Sequence, residues 1–150
     1  MMQYVVVQEA AFDVGHEYTR LAELSDHVGG VSIFVGCVRD TAGDLQSLTL
    51  EHYPGMTEKM LQNLSAEAFE RFHLAGCTII HRVGTLGVGS PIVFVGAAAA
   101  HRAEALQATA FLIDKLKTGA PFWKCEQFKD GRRVWVEAKA ADDEAAAFWS

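Results

Sequence analysis

The chain has no surplus of positive charge. Its 150 residues carry 13 Lys and Arg against 19 Asp and Glu, a formal net charge of −6. That balance excludes a general electrostatic grip on nucleic acid or on an anionic membrane surface. Any anion the protein binds must meet a local positive pocket. Cysteine is scarce as well: Cys37, Cys77 and Cys125 are isolated, with no C-x-x-C pair and no histidine at finger spacing. An odd, scattered set argues against a disulfide framework and reads as buried or half-buried thiols in a reducing compartment. Cys125 follows Lys124, which makes it the one thiol that a neighbouring charge would activate. No apolar run approaches the roughly 20 residues that span a bilayer. The opening MMQYVVVQEA lacks the basic stretch and long apolar run of a signal peptide. Together these absences make the cytoplasm the expected location.

Catalytic signatures are missing too. There is no nucleophile elbow, P-loop or dinucleotide fingerprint. GTLGVGS has three glycines but no lysine and no strand-to-helix context, so it reads as a hairpin connector rather than a phosphate cradle. His16, His27, His52, His73, His81 and His101 include no pair at H-x-x-x-H helical spacing, so no metal centre is expected.

What is present is ordinary globular material. Half the residues are hydrophobic and 21% are charged, enough apolar side chains for a core. The length predicts one domain over 1–150. Strands are predicted at 3–8, 31–38, 47–53, 77–83, 91–97, 121–128 and 132–138. The nearly unbroken apolar run VSIFVGCV at 31–38 reads as a buried strand. Helices are predicted at 15–24, from Thr57 as N-cap to about residue 73, and at 101–117 with Gly119 just beyond the end. The middle helix carries an apolar stripe of Met60, Leu61, Leu64, Ala68 and Phe72. RDTAGDLQ at 39–46 is a loop, Asp130-Gly131 is a hairpin turn, and DDEAAAFW is a short helix or docking segment. Strands and helices do not alternate regularly, so the class is α+β.

Basic residues gather at element ends. Arg39 follows the strand at 31–38, His101 and Arg102 open the long helix, and Lys117 closes it. A helix N-terminus offers free N–H groups and partial positive charge, so His101-Arg102 form a natural anion site. Arg39 is a candidate to complete it through a bidentate guanidinium. KTGAPFWKCE then sets Lys117 and Lys124 on either side of an apolar anchor. Phe122 and Lys124 share one strand face, Trp123 and Cys125 the other. Such a turn would hold both ammonium groups at one cleft. Clustered cations make a neutral amine more accessible and stabilise developing negative charge. That suits acyl or phosphate-ester chemistry on an anionic substrate.

The strings LEHYPGMTEKM, HRVG, PIVFVG, AHR and LKTGAPFWK, in this order and at these intervals, resemble the large catalytic subunit of molybdopterin synthase, the MoaE family. The likeness runs from FDVG near residue 12 to WVEA near residue 135. It implies an α/β-hammerhead-type fold with an antiparallel or mixed sheet and flanking helices. It implies a dimer of large subunits, with a small ubiquitin-like sulfur-carrier subunit at each end forming a heterotetramer. The carrier's C-terminal Gly-Gly thiocarboxylate enters a pocket of the large subunit. Two sulfurs pass to cyclic pyranopterin monophosphate (precursor Z), giving the molybdopterin dithiolene without a metal or cofactor of the large subunit's own. By position, Lys117 matches the essential lysine beside the carrier tail and Lys124 the second active-site lysine. Arg39, His101 and Arg102 match the residues that hold the pterin phosphate, and Phe34 an apolar pocket residue. The resemblance also implies that a neighbouring large subunit supplies part of the pocket. Gly119, Cys125 and Lys139 depart from the pattern and touch only the finer contacts. Two other functions compete with this one: a scaffold that docks the carrier without chemistry, and a phosphate-ester hydrolase, for which no general base or metal site is evident.

Overall fold

The computed structural model describes residues 2–136 and 140–150. Lys139 and the end of the strand expected at 132–138 lie outside the described residues. Two four-stranded sheets are packed with helices, the α+β class expected. The first sheet runs β1 (Met2–Gln8), β4 (Gly76–Arg82), β6 (Pro91–Ala99), β2 (Gly30–Cys37). Its β1–β4 pair is parallel and the others are antiparallel, so the sheet is mixed. The second runs β5 (Gly84–Gly87), β3 (Leu45–His52), β7 (Phe122–Phe128), β8 (Arg133–Trp135), antiparallel throughout. The helices are α1 (Val14–Ala22), α2 (Met56–Phe72), α3 (Arg102–Gly119) and α4 (Ala140–Ala147).

The interior strands β4 and β6 are apolar on both faces because both faces are covered. Cys77, Ile79, Val93, Val95, Ala97 and Ala99 pack against Ala105, Ala108, Phe111 and Leu112 of α3 and Leu61 and Ala68 of α2. The small residues on α3 and β6 let helix and sheet approach closely. On the other face Ile80, Phe94 and Ala98 meet Leu21 of α1. Leu21 fills the space over Gly96, where a Cβ would strike it. The second sheet has its own core of Val38, Leu45, Leu48, Leu50 and Leu86. The C-terminal helix docks through Trp149, whose Nε1 donates to Asp114 Oδ2 at 2.8 Å and whose ring meets Phe72 and Phe111 edge-on. The tail is therefore both helical and docked.

Several expectations change. GTLG is a strand on β3 rather than only a connector, with Leu86 as its buried anchor. Gly55, at φ +84°, is the N-cap of α2, and Glu58 accepts its N–H at 2.7 Å. Thr57 lies inside the helix, fully buried, and its hydroxyl exchanges hydrogen bonds with the Tyr53 backbone. Met60 leaves the buried stripe and faces solvent. Gly119 is the last residue of α3, which ends without a left-handed glycine and continues through extended Ala120. β2 is an edge strand, and Ile33 and Phe34 on it are each 40% exposed. The apolar run predicts a buried strand, but among the described residues β2 is paired on one side alone, with β6.

Candidate functional site

The cleft at the C-terminal end of α3 is built by the turn from helix to β7. Leu116 is buried and fixes the last helical turn, which leaves Lys117 on the surface beside it. The chain leaves through Ala120 and Pro121. There the Phe122 N–H donates to Ala120 O at 2.9 Å, and Thr57 Oγ1 reaches Pro121 O at 3.5 Å. β7 then pairs with β3, His52 opposite Phe122 and Leu50 opposite Lys124. Alternation along the strand sends Phe122 and Lys124 to the same face. Lys117 and Lys124 therefore line one cleft of about 80 Å³, together with Gly36, Cys37, His81 and Phe122. The two lysines come together as the sequence predicts. Of the two aromatics, Phe122 is the anchor, whereas Trp123 is 48% exposed on the opposite face.

His81 is the residue the sequence reading passed over. It sits on interior strand β4 and is 3% exposed. Its ring stacks on Phe122 with centroids 3.7 Å apart and planes 15° from parallel. Nδ1 lies 2.8 Å from the Arg82 carbonyl oxygen. Burial lowers its pKa to about 4, the Arg82 carbonyl opposes this, and the charges of Lys124, Lys117 and His52 lower it further. The imidazole is neutral at physiological pH. Since the carbonyl can only accept, Nδ1 carries the proton and Nε2 the lone pair. The one signal in the sequence was an ionisable side chain ending the apolar run CTII.

Cysteine is also redistributed. Cys37 is exposed and lines the lysine cleft, at a register shift between Gly36 and Cys37 that breaks the alternation of β2. Cys125 is 1% exposed, so the thiol singled out beside Lys124 is inert to solvent. Neighbours along a strand point to opposite faces, and Lys124 directs its charge away from it. Cys77 is buried, and burial raises its pKa to about 11.

The remaining candidates divide. Phe34 lies over Gly36, its ring 3.4 Å from where a Cβ on that glycine would stand, and so flanks the lysine cleft. Arg39 is two residues past β2 at that same end, exposed. His101 and Arg102 are elsewhere. His101 is the extended N-cap of α3 and makes no side-chain capping bond. With Gly29, Ala100, Arg102 and Ala103 it lines an open hollow. Glycine is needed at position 29, because a Cβ there would strike the Ala100 carbonyl. Arg102 and Lys117 bound most of the 18-residue helix, about 22 Å apart at 1.5 Å per residue. Arg39 likewise follows the far end of β2, whose Gly30–Cys37 span is about 23 Å. Within one chain Arg39 does not complete the site at the helix N-terminus.

The family model described as MoaE protein matches residues 7–119. The molybdopterin synthase catalytic subunit of Escherichia coli (strain K12) is 50% identical over 147 residues, 97% of each chain. The chain belongs to the MoaE family. Its fold agrees with solved structures. The molybdopterin cofactor biosynthesis protein E from Burkholderia multivorans superposes with a TM-score of 0.84 at 44% identity, covering 99% of this chain and 97% of that one. Molybdopterin synthase from Staphylococcus aureus gives a TM-score of 0.80 at 27% identity, covering 87% and 95%. The family model includes Lys117 and ends before β7, so Lys124 is covered by the full-length relatives and solved structures instead. Among the described residues no helix is long and apolar enough to cross a membrane.

Proposed function

We propose that this MoaE-family chain is the catalytic subunit of a molybdopterin synthase. It would move sulfur from the C-terminal thiocarboxylate of a small ubiquitin-like carrier onto cyclic pyranopterin monophosphate, and act in the cytoplasm as a single domain. The observation that carries this reading is the pairing of Lys117 and Lys124 in one narrow cleft walled by Phe122 and Gly36. A Gly-Gly tail is slim enough for such a space. The carrier's sulfur is the nucleophile, so no protein thiol is consumed. Attack and later hydrolysis leave negative charge on the tail's carboxyl oxygens, and Lys117 stabilises it. Lys124 donates a proton to the opening ring or contacts its phosphate. Phe34 forms the apolar flank. Arg39, with His101 and Arg102, holds the phosphate.

His101 and Arg102 sit a helix length from Lys117, so one chain does not assemble this site. A second copy supplies them. The edge strand β2, with Ile33 and Phe34 each 40% exposed, supports a large-subunit dimer. One carrier per cleft then gives a heterotetramer.

The test is a single-turnover assay with purified protein, thiocarboxylated carrier and precursor Z. Dithiolene product from wild type, and almost none from Lys117→Ala with carrier binding intact, supports the reading. No product from wild type despite tight carrier binding leaves a docking scaffold.

A further inference from the structure

His81 has no part in the mechanism above, yet it is held more firmly than packing requires. Its ring is clamped between the Phe122 face and the Arg82 carbonyl. The carbonyl is itself held. The Arg82 guanidinium donates from Nε and Nη2 to Glu9 O at 3.1 and 3.0 Å, and from Nη1 to Pro91 O at 3.1 Å. These bonds tie the end of β4 to the chain just past β1 and to the start of β6. A buried polar ring costs stability unless its polar atoms are used, and Nδ1 is used on the carbonyl. Nε2 keeps the lone pair, on a ring that lines the same cleft as both lysines.

Resting on the sulfur-transfer reading, we propose that His81 is a positioning residue for the lysine pair: its Nε2 accepts a hydrogen bond from an ammonium group in the cleft. A lysine ammonium is a mobile point charge with three donors on a flexible stem. A fixed acceptor takes one donor and sets the direction of the other two, toward the end of the carrier tail. The ionisable groups that act on the ring are Lys117 from α3, Lys124 from β7 and His52 from β3, and the Cys37 thiol of β2 shares the cleft. Burial and the two lysines act together to keep the ring neutral. A protonated ring would donate instead of accept and would add another positive charge.

The test compares His81→Phe, which keeps a flat ring against Phe122, with His81→Gln, which keeps an acceptor near the position of Nε2. Acetic anhydride labelling of carrier-free protein at pH 7, read by peptide mass spectrometry, reports how firmly each ammonium is held. In H81F one of Lys117 and Lys124 should acetylate about tenfold faster, the worth of one hydrogen bond to a charged group. H81Q should stay within about threefold of wild type, because the acceptor is restored. Single-turnover sulfur transfer should fall about tenfold or more in H81F with carrier affinity unchanged. Unchanged labelling of both lysines in folded H81F overturns the proposal, and so does an H81Q variant that behaves like H81F. If H81F does not fold, H81N carries the test, since its amide serves Arg82 O but does not reach the cleft. If wild type transfers no sulfur, the functional reading fails, while the labelling still decides whether His81 holds a lysine.

Discussion

The two ends of α3 are made for different work. At the C-terminal end three elements converge, and side chains build the site: a stacked imidazole and phenyl ring, a buried Leu116 and two lysines on one small cleft. At the N-terminal end the backbone builds it. There the helix starts at His101 without a side-chain cap, beside glycines that keep the strand out of the way. The first end can aim a proton or stabilise a charge at a chosen atom. The second offers dipole, N–H groups and a guanidinium to any anion of suitable size. On the proposed sulfur-transfer reading, chemistry would use the first end and grip the second, and a rigid helix about 22 Å long between Arg102 and Lys117 keeps them apart in one chain. The distance is itself an argument for a second copy.

The largest expected effect lies at the lysine end. Lys117→Ala should lower single-turnover sulfur transfer by about 10²–10³-fold, the usual cost of losing one preorganised charge at a developing anion. Carrier affinity, read by titration calorimetry, should change little. A loss below about tenfold would move the catalytic weight to Lys124.

The buried ring at that end should also shape stability against pH. Unfolded, His81 titrates at its ordinary 6.5; folded, at about 4. Between those values the unfolded chain binds the extra proton. The ring's contribution is therefore complete above pH 6.5, declines as pH falls toward 4 and is flat below. The full decline is roughly 3 kcal/mol. Urea unfolding of wild type and H81F at pH 7, 5.5 and 4 checks it: the gap in slope between them should vanish above pH 6.5. A parallel fall in both proteins would show that carboxylates, not this imidazole, set the acid limit.

At the helix N-terminus the effect should fall on binding. Arg102→Ala should raise KM for the pterin substrate about 10- to 100-fold, with kcat within about threefold, since a charge-assisted contact is lost without touching the reacting atoms. Co-expressing R102A with K117A then asks whether one site uses two chains. Random mixing makes half of the dimers mixed, each with one intact cleft, so activity at low substrate should recover to about a quarter of wild type. Activity no better than the sum of the two variants would mean that each chain works with its own residues.

Much of this was legible in the sequence, for reasons that can be named. Lys117 and Lys124 are seven residues apart across a helix-to-strand turn, so local geometry alone brings them together. Asp130-Gly131 fixed the β7–β8 hairpin because Gly131 adopts φ +89°. The separation of Arg102 from Lys117 follows from helical rise; that of Arg39 from His101 and Arg102, which the sequence joins in one anion site, depends on the fold. What stayed hidden depended on long-range pairing. His81 meets Phe122, 41 positions later, only after β4, α3 and β7 are assembled. The edge position of β2 was invisible because an apolar run looks the same whether its own sheet or another chain covers it. β5 is not legible because GTLG has two glycines and one buried anchor, too little for a strand signal.

The smallest expected effect tests whether the exit from α3 must move. Gly119 ends the helix at negative φ, and a Cβ there would meet nothing within 4 Å. Gly119→Ala should therefore stabilise the protein by roughly 0.5–1 kcal/mol, because alanine has less unfolded-state freedom to lose. For this size the gain is about 1–4 °C in Tm. Gly131→Ala is the opposite control, since its left-handed backbone strains any Cβ and Tm should drop. If G119A raises Tm and leaves sulfur transfer unchanged, the turn that carries Lys117 to Lys124 works as a rigid frame, in keeping with the clamped ring beneath it. If Tm rises while turnover falls, the frame has to yield as the carrier tail enters, and the lysine end then owes part of its function to the freedom of Gly119.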